Sequence, residues 1–255
     1  MATHRRRPDD LWKLFPGDND YSVTFSIVSL CTAPRTDPSQ YTETIRGEVT
    51  SLADDGNEGK IGTFEGYRLR RDWAEQEGES FFDIADAFSS ETHDYLLEIF
   101  TDVGDLRPEV EQAVGDEEPP WGPVLMAHTL EISPAHRGQG LGYAVIDSFI
   151  ETFEPGAGLV IAHAAPINPP DLRPRETDTP EYRQWRTRGV RKLRRYWEGF
   201  GFVPVSPASE YLAMNLALRR PSLVQVIRTL PSRKRRQDKR RNNRTEPGPD
   251  TGGAR

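Results

Sequence analysis

Leu130-Glu131-Ile132-Ser133-Pro134-Ala135-His136-Arg137-Gly138-Gln139-Gly140-Leu141-Gly142 is the stretch that decides the fold. The apolar segment Val124 to Ile132 reads as a strand. It runs into a proline-initiated turn, then three glycines within five residues, then a helix. At such a junction the first main-chain N–H groups of the helix have no intrahelical acceptor and point into one small space. The helix dipole adds partial positive charge there, which makes a receptor for phosphate oxygens. Glycine lets the chain take φ > 0 and approach an anion with no Cβ in between.

Three kinds of phosphate loop compete for this stretch. A nucleoside-triphosphate loop requires Gly-x-x-x-x-Gly-Lys-Ser/Thr, and no such Lys pair follows these glycines. A dinucleotide fingerprint requires Gly-x-Gly-x-x-Gly, but Tyr143 stands at the third glycine position. That fold also closes its next strand on an acidic residue, whereas Leu159 to Ala164 leads into His163-Ala164-Ala165-Pro166. The third pattern fits: Arg137-x-x-Gly140-x-Gly142 resembles the Arg/Gln-x-x-Gly-x-Gly/Ala signature of the GNAT family, the acetyl-CoA-dependent N-acetyltransferases. Ile132-x-Pro134 stands where that family has Val-x-Pro. Leu193-Arg194-Arg195-Tyr196-Trp197-Glu198-Gly199-Phe200-Gly201-Phe202 is similar to its second signature, an aromatic-rich helix ending in Gly-Phe. The resemblance covers residues 121–218.

The resemblance implies an α/β fold with a mixed, mostly antiparallel sheet and helices on both faces. It implies transfer of an acetyl group from acetyl-CoA to a primary amine by direct attack in a ternary complex. The backbone of Arg137, Gly138, Gln139, Gly140, Leu141 and Gly142 would cradle the pyrophosphate. The backbone of Leu130 and Ile132 would pair with the pantetheine arm, and Asn168 would hydrogen-bond it. No metal enters this reading.

An alkylamine is an ammonium ion at neutral pH and must lose a proton before it attacks, so a base is required. The family places its base on the strand before the loop, nine or eleven residues ahead of the motif's Arg/Gln, and nine before Arg137 is His128. Strand alternation sets His128, Leu130 and Ile132 on one face, away from Glu131. Glu131 and His163 are alternative bases, and His136 is expected in solvent. The family's general-acid tyrosine stands four residues before the Gly of Gly-Phe; here that position is Trp197. Tyr196 is the neighbouring hydroxyl, about 100° around the helix. Either Tyr196 donates the proton with Trp197 lining the pantetheine arm, or water does, or activity is lost and the chain only binds CoA.

Outward from the loop, Leu141, Val145 and Phe149 form one helical face up to Phe153, and Pro155-Gly156 ends the helix. Tyr21–Leu30 reads as a strand too short for a bilayer. Thr42–Leu52 and Lys60–Arg70 read as a hairpin joined by Asp54-Asp55-Gly56-Asn57-Glu58-Gly59. Ser80 opens one long helix over residues 81–103, and residues 105–123 form an acidic connector. Residues 167–184 are a proline-rich insertion before a helix that Gly201 caps. Two short strands, Phe202–Val205 and Tyr211–Leu218, close the domain. Two features depart from the family: the long helix follows a hairpin rather than the first strand, and about twenty residues are inserted after residue 166.

The chain of 255 residues suits one domain with tails: an irregular segment 1–20, a domain 21–218 and a basic tail 219–255. The single cysteine, Cys31, excludes an internal disulfide framework and suits the cytoplasm. Arg5-Arg6-Arg7 is followed by Pro8-Asp9-Asp10 and not by the apolar core of a signal peptide. The net charge of −7 is unevenly spread. Twelve basic and three acidic residues lie from Arg219 onward, against 21 basic and 37 acidic before it. An acidic body favours cationic substrates, as an amine acceptor would be. Residues 233–244 suit contact with nucleic acid or an acidic partner through phosphates, though without aromatic residues for stacking on bases. A chain acting through that tail is the remaining alternative function.

Overall fold

The computed structural model describes residues 20–28, 37–52, 58–115, 122–167, 179–218 and 220–229. These residues form an α/β fold around one seven-stranded sheet. The strands are β1 (Asp20–Val28), β2 (Thr42–Leu52), β3 (Glu58–Leu69), β4 (Val124–Ile132), β5 (Leu159–His163), β6 (Val203–Pro204) and β7 (Tyr211–Asn215), in the spatial order β1-β2-β3-β4-β5-β7-β6. Every neighbouring pair is antiparallel except β4 and β5. Parallel neighbours need a long crossover, and α5 (Leu141–Phe153) supplies it.

Helices cover both faces. On one side α5, α6 (Pro180–Glu198) and α7 (Leu223–Thr229) pack on a core that includes Phe64, Leu125, Phe149, Val160, Phe200 and Phe202. On the other, α2 (Phe81–Phe88), α3 (Ser90–Ile99) and α4 (Pro108–Val114) cover Tyr67, Val124, Met126, Leu159 and Ile161. The short α1 (Arg71–Glu77) precedes them and buries Ala74 against Tyr41 and Ile84. Burying each large apolar side chain of this kind stabilises the fold by roughly 1.5–3 kcal/mol. Among the described residues no helix is long and apolar enough to cross a membrane.

The structure corrects several expectations. The helix expected over 81–103 is two, because Ser89 is fully extended at φ −165° and ψ 151°. Its backbone ends α2 while its Oγ accepts from Thr92 N at 3.1 Å and caps α3. The connector 105–123 contains α4, which starts at a proline and ends at Gly115 in the left-handed region. The helix ahead of Gly201 begins at Pro180, inside the expected insertion, with Thr179 as its cap. Residues 220–229, expected in the tail, pack on the domain. Leu223, Val226 and Ile227 of α7 are buried in the core with α5, and Arg220 pairs with the buried Asp147 at 3.4 Å. Of the segment 1–20 expected to be irregular, Asp20 opens β1; residues 1–19, Cys31, residues 53–57 between β2 and β3, Asn168 with most of the insertion, and the basic run 233–244 lie outside the described residues.

Candidate functional site

Two strand ends define the site. Strands β4 and β5 pair only from Val124↔Leu159 to Ala127↔Ala162. Beyond that point β4 continues to Ile132 alongside β3, and among the described residues no strand pairs with its other edge. The sheet therefore opens between two central strands, directly above the turn that starts α5.

A bulge accompanies the opening. Gly66 faces Ala127 and Glu65 faces Thr129, so His128 is an extra residue without a partner on β3. A one-residue insertion reverses the alternation of every side chain beyond it. Leu125 and Ala127 face α5; past the bulge, Leu130 and Ile132 do. His128 faces the opposite side, against Tyr67 and Tyr95. The sequence expectation that His128 shares a face with Leu130 and Ile132 is thus corrected, and the bulge is the reason. Glu131 is exposed, and His136 is half-buried with its ring edge-on to Tyr21.

On the α5 side the turn is rigidly held. Gly138 and Gly140 have φ of 78° and 91°, a region that favours glycine. Gly140 is the N-cap of α5, and no side chain caps the helix or places a carboxylate in its first turn. Arg137 Nε donates to Ile132 O at 2.5 Å, tying the turn to the end of β4. Buried Gln139 accepts from the Tyr21 hydroxyl at 3.1 Å, tying it to β1. The Leu141 side chain is in the core, which leaves its backbone for any ligand.

Tyr196 reaches this turn from α6. A Cβ built on Gly142 would stand 2.7 Å from the Tyr196 Oη and 3.4 Å from Leu130 Cδ2. The phenol therefore lies between the start of α5 and the free part of β4. Its ring stacks on Tyr143 at 3.8 Å, and the Tyr143 hydroxyl donates to the Tyr196 carbonyl at 2.6 Å. Burial raises the Tyr196 pKa well above the ordinary phenol value, with the neighbouring Tyr143 adding to it, so the hydroxyl keeps its proton. Burial also pushes Tyr143 up to about 12. Trp197 is different. Its indole is buried in the core, edge-on to Tyr143 and 5.9 Å from the Phe202 ring. The helical offset of about 100° that separates the two residues turns one inward and the other to the turn.

On the α3 side two imidazoles stand where the strands part. His128 places Nε2 3.4 Å from Glu91 Oε2 and Nδ1 3.4 Å from the Tyr95 hydroxyl. His163 stacks on Tyr211 at 4.4 Å and directs Nε2 to Glu210 Oε2 at 3.3 Å. Arg186 of α6 grips Glu210 through both Nε, at 3.1 Å, and Nη2. Tyr95 lies edge-on to both imidazoles, about 6 Å from each. Tyr95, Glu210, Arg186 and Tyr143 escape sequence reading because only the folded chain brings these distant residues together. The parity switch at His128 had no signal in the residue pattern either.

No protein-family model matches the chain, and no curated protein matches it.

Proposed function

We propose that the protein is an N-acetyltransferase of GNAT type that moves an acetyl group from acetyl-CoA to a primary amine. One observation carries this reading: among the described residues no strand pairs with β4 beyond Ala127 on its β5 side, and that edge ends over a helix N-terminus with no side-chain cap that a tyrosine hydroxyl approaches. The residues present suit a diphosphate-bearing thioester. The main chain from Arg137 to Gly142 offers N–H groups and left-handed glycines for the diphosphate. The β5-side edge of β4 around Leu130 and Ile132, which pairs with no strand among the described residues, suits an amide-bearing arm that adds as a strand would. A Cβ at Gly142 would fill the space beside the Tyr196 hydroxyl.

Acetyl-CoA supplies the activated acyl carbon, and the chain supplies placement and proton transfer. Tyr196, whose hydroxyl carries its proton at neutral pH and stands beside Gly142 and Leu130, is placed to protonate the departing thiolate. Its adjacency to Gly142 answers the displacement of the usual acid position by Trp197, and it favours catalysis over binding alone. The amine proton is taken on the α3 side, where His128 and His163 stand at the strand ends. Glu91 beside His128, an exposed carboxylate, attracts an ammonium ion. The test is thiol release from acetyl-CoA against a panel of primary amines. Release that depends on the amine and falls in Tyr196→Phe supports the reading. Tight CoA binding with no release under any amine would reduce the protein to a binding module.

A further inference from the structure

We infer that His163 is the base that takes the amine proton and that Glu210, gripped by Arg186, is the residue that positions it. This rests on the acyl-transfer reading above and assigns its proton acceptor. The argument is a count of lone pairs. A carboxylate only accepts, so the imidazole nitrogen facing it carries the proton. In His128 that nitrogen is Nε2, beside Glu91, and its Nδ1 lone pair faces the hydroxyl of Tyr95. Burial raises the Tyr95 pKa far above that of a free phenol, so this hydroxyl stays protonated and donates. Both His128 nitrogens are therefore occupied. In His163, Nε2 donates to Glu210, and among the described residues Nδ1 has no hydrogen bond. Its lone pair is available.

The orientation of His163 is over-determined. Its ring is stacked on Tyr211, flanked edge-on by Tyr95, and tied to a carboxylate that Arg186 holds at two points. This is the arrangement a general base needs: one nitrogen fixed by an orienting acid, the other exposed to substrate. The side chain is 23% exposed, enough for a substrate to reach it. The groups facing it are Tyr95 from α3, Glu210 and Tyr211 at the start of β7, Arg186 from α6 and His128 from β4. Asp94 and Glu98 add negative charge on the far side of Tyr211. Burial holds the His163 pKa below the usual imidazole value against the opposing pull of Glu210, so the ring is neutral at pH 7.

The protons balance as follows. The acceptor ammonium gives one proton to His163 Nδ1, which passes it to solvent. The freed lone pair forms the C–N bond as the C–S bond breaks and Tyr196 protonates the thiolate; of the two protons left on nitrogen, one stays on the product amide and the other is lost and restores the phenol.

The test uses the full chain with two readouts. Side-chain ¹⁵N spectra without acetyl-CoA, assigned through the loss of one imidazole in His163→Asn, should show His163 as the Nε2–H tautomer titrating below pH 6.5. Glu210→Gln removes the negative charge, so that titration should move to lower pH. A protonated Nδ1, or a titration that Glu210→Gln leaves in place, overturns the assignment. In turnover, His163→Asn should lower kcat by about 10²–10⁴-fold with acetyl-CoA binding unchanged. The acidic limb of the pH profile should follow the spectroscopic pKa and shift in Glu210→Gln, and Glu210→Asp should recover part of the rate. A His163→Asn enzyme within threefold of the parent, or a greater loss in His128→Asn, overturns it while the acyl-transfer reading stands. A parent chain that neither binds nor turns over acetyl-CoA overturns both.

Discussion

The hydroxyl of Tyr196 rests against Gly142, close enough that a single added methyl at residue 142 would stand 2.7 Å from the phenolic oxygen. The contact joins the C-terminal half of α6 to the first turn of α5. Only a residue without Cβ leaves room for it. Gly142→Ala should therefore displace the phenol, since under 3 Å one of the two groups must move. The expected result is weaker CoA binding together with a fall in kcat, read by calorimetry and by thiol release.

Tyr196→Phe separates the hydroxyl from the ring. The phenyl group retains the stacking on Tyr143 at 3.8 Å, so the fold and CoA affinity should be unchanged. The rate should fall by about 10²-fold, as expected for loss of a general acid. A phenylalanine variant with the parent's kcat would show that water protonates the thiolate.

Asp147 gives a prediction that concerns stability alone. It is a carboxylate on the inner face of α5, paired with Arg220 at 3.4 Å, and burial raises its pKa from 3.8 to about 6 despite that partner. A folded pKa above the unfolded one means that the protonated form suits the fold better. Its contribution is complete below pH 3.8 and is lost as pH rises through about 6. A rise of this size corresponds to roughly 2–3 kcal/mol. Asp147→Asn should accordingly unfold at higher urea than the parent at pH 8 and at a similar concentration near pH 4. A less stable variant at pH 8 would mean that the Arg220 pair outweighs burial.

The helix α7 belongs to the domain. Leu223 is 4% exposed and shares a core with α5. Leu223→Ala should cost about 2–4 kcal/mol in denaturant unfolding, the usual range for a buried leucine. A cost below 0.5 kcal/mol would return residues 220–229 to the tail.

These elements show what the residue pattern carries and where it stops. The glycine turn and the face of Leu141, Val145 and Phe149 were legible, because positive φ and a 3.6-residue period each leave a direct mark in sequence. Ser80 was legible as a cap for the same kind of reason: its Oγ accepts from Asp83 N. Ser89 was not, although it caps α3 in the same way, because the helical spacing of apolar residues runs straight through the break. Residues 223–229 were read as tail because a seven-residue amphipathic segment beside a basic run has no partner until α5 is in place. The face of His128 was misassigned, since a bulge is a property of the pairing with β3 and not of β4 alone. The link from His163 to Glu210 and Arg186 spans three separate elements, and only the folded sheet assembles it.

The central claim is that the turn around Gly140 holds the diphosphate of CoA, and isothermal calorimetry of CoA with the full chain tests it most directly. The account predicts a Kd on the order of 1–100 μM, in the usual range for an enzyme and its substrate. Gly140→Glu should weaken binding at least tenfold while circular dichroism confirms an intact fold, because that residue sits at φ 91° and a carboxylate there would repel a diphosphate held by the turn. Gly140→Ala, a milder strain, should fall between the two. No detectable binding by the folded parent, or equal affinity in all three proteins, would contradict the claim.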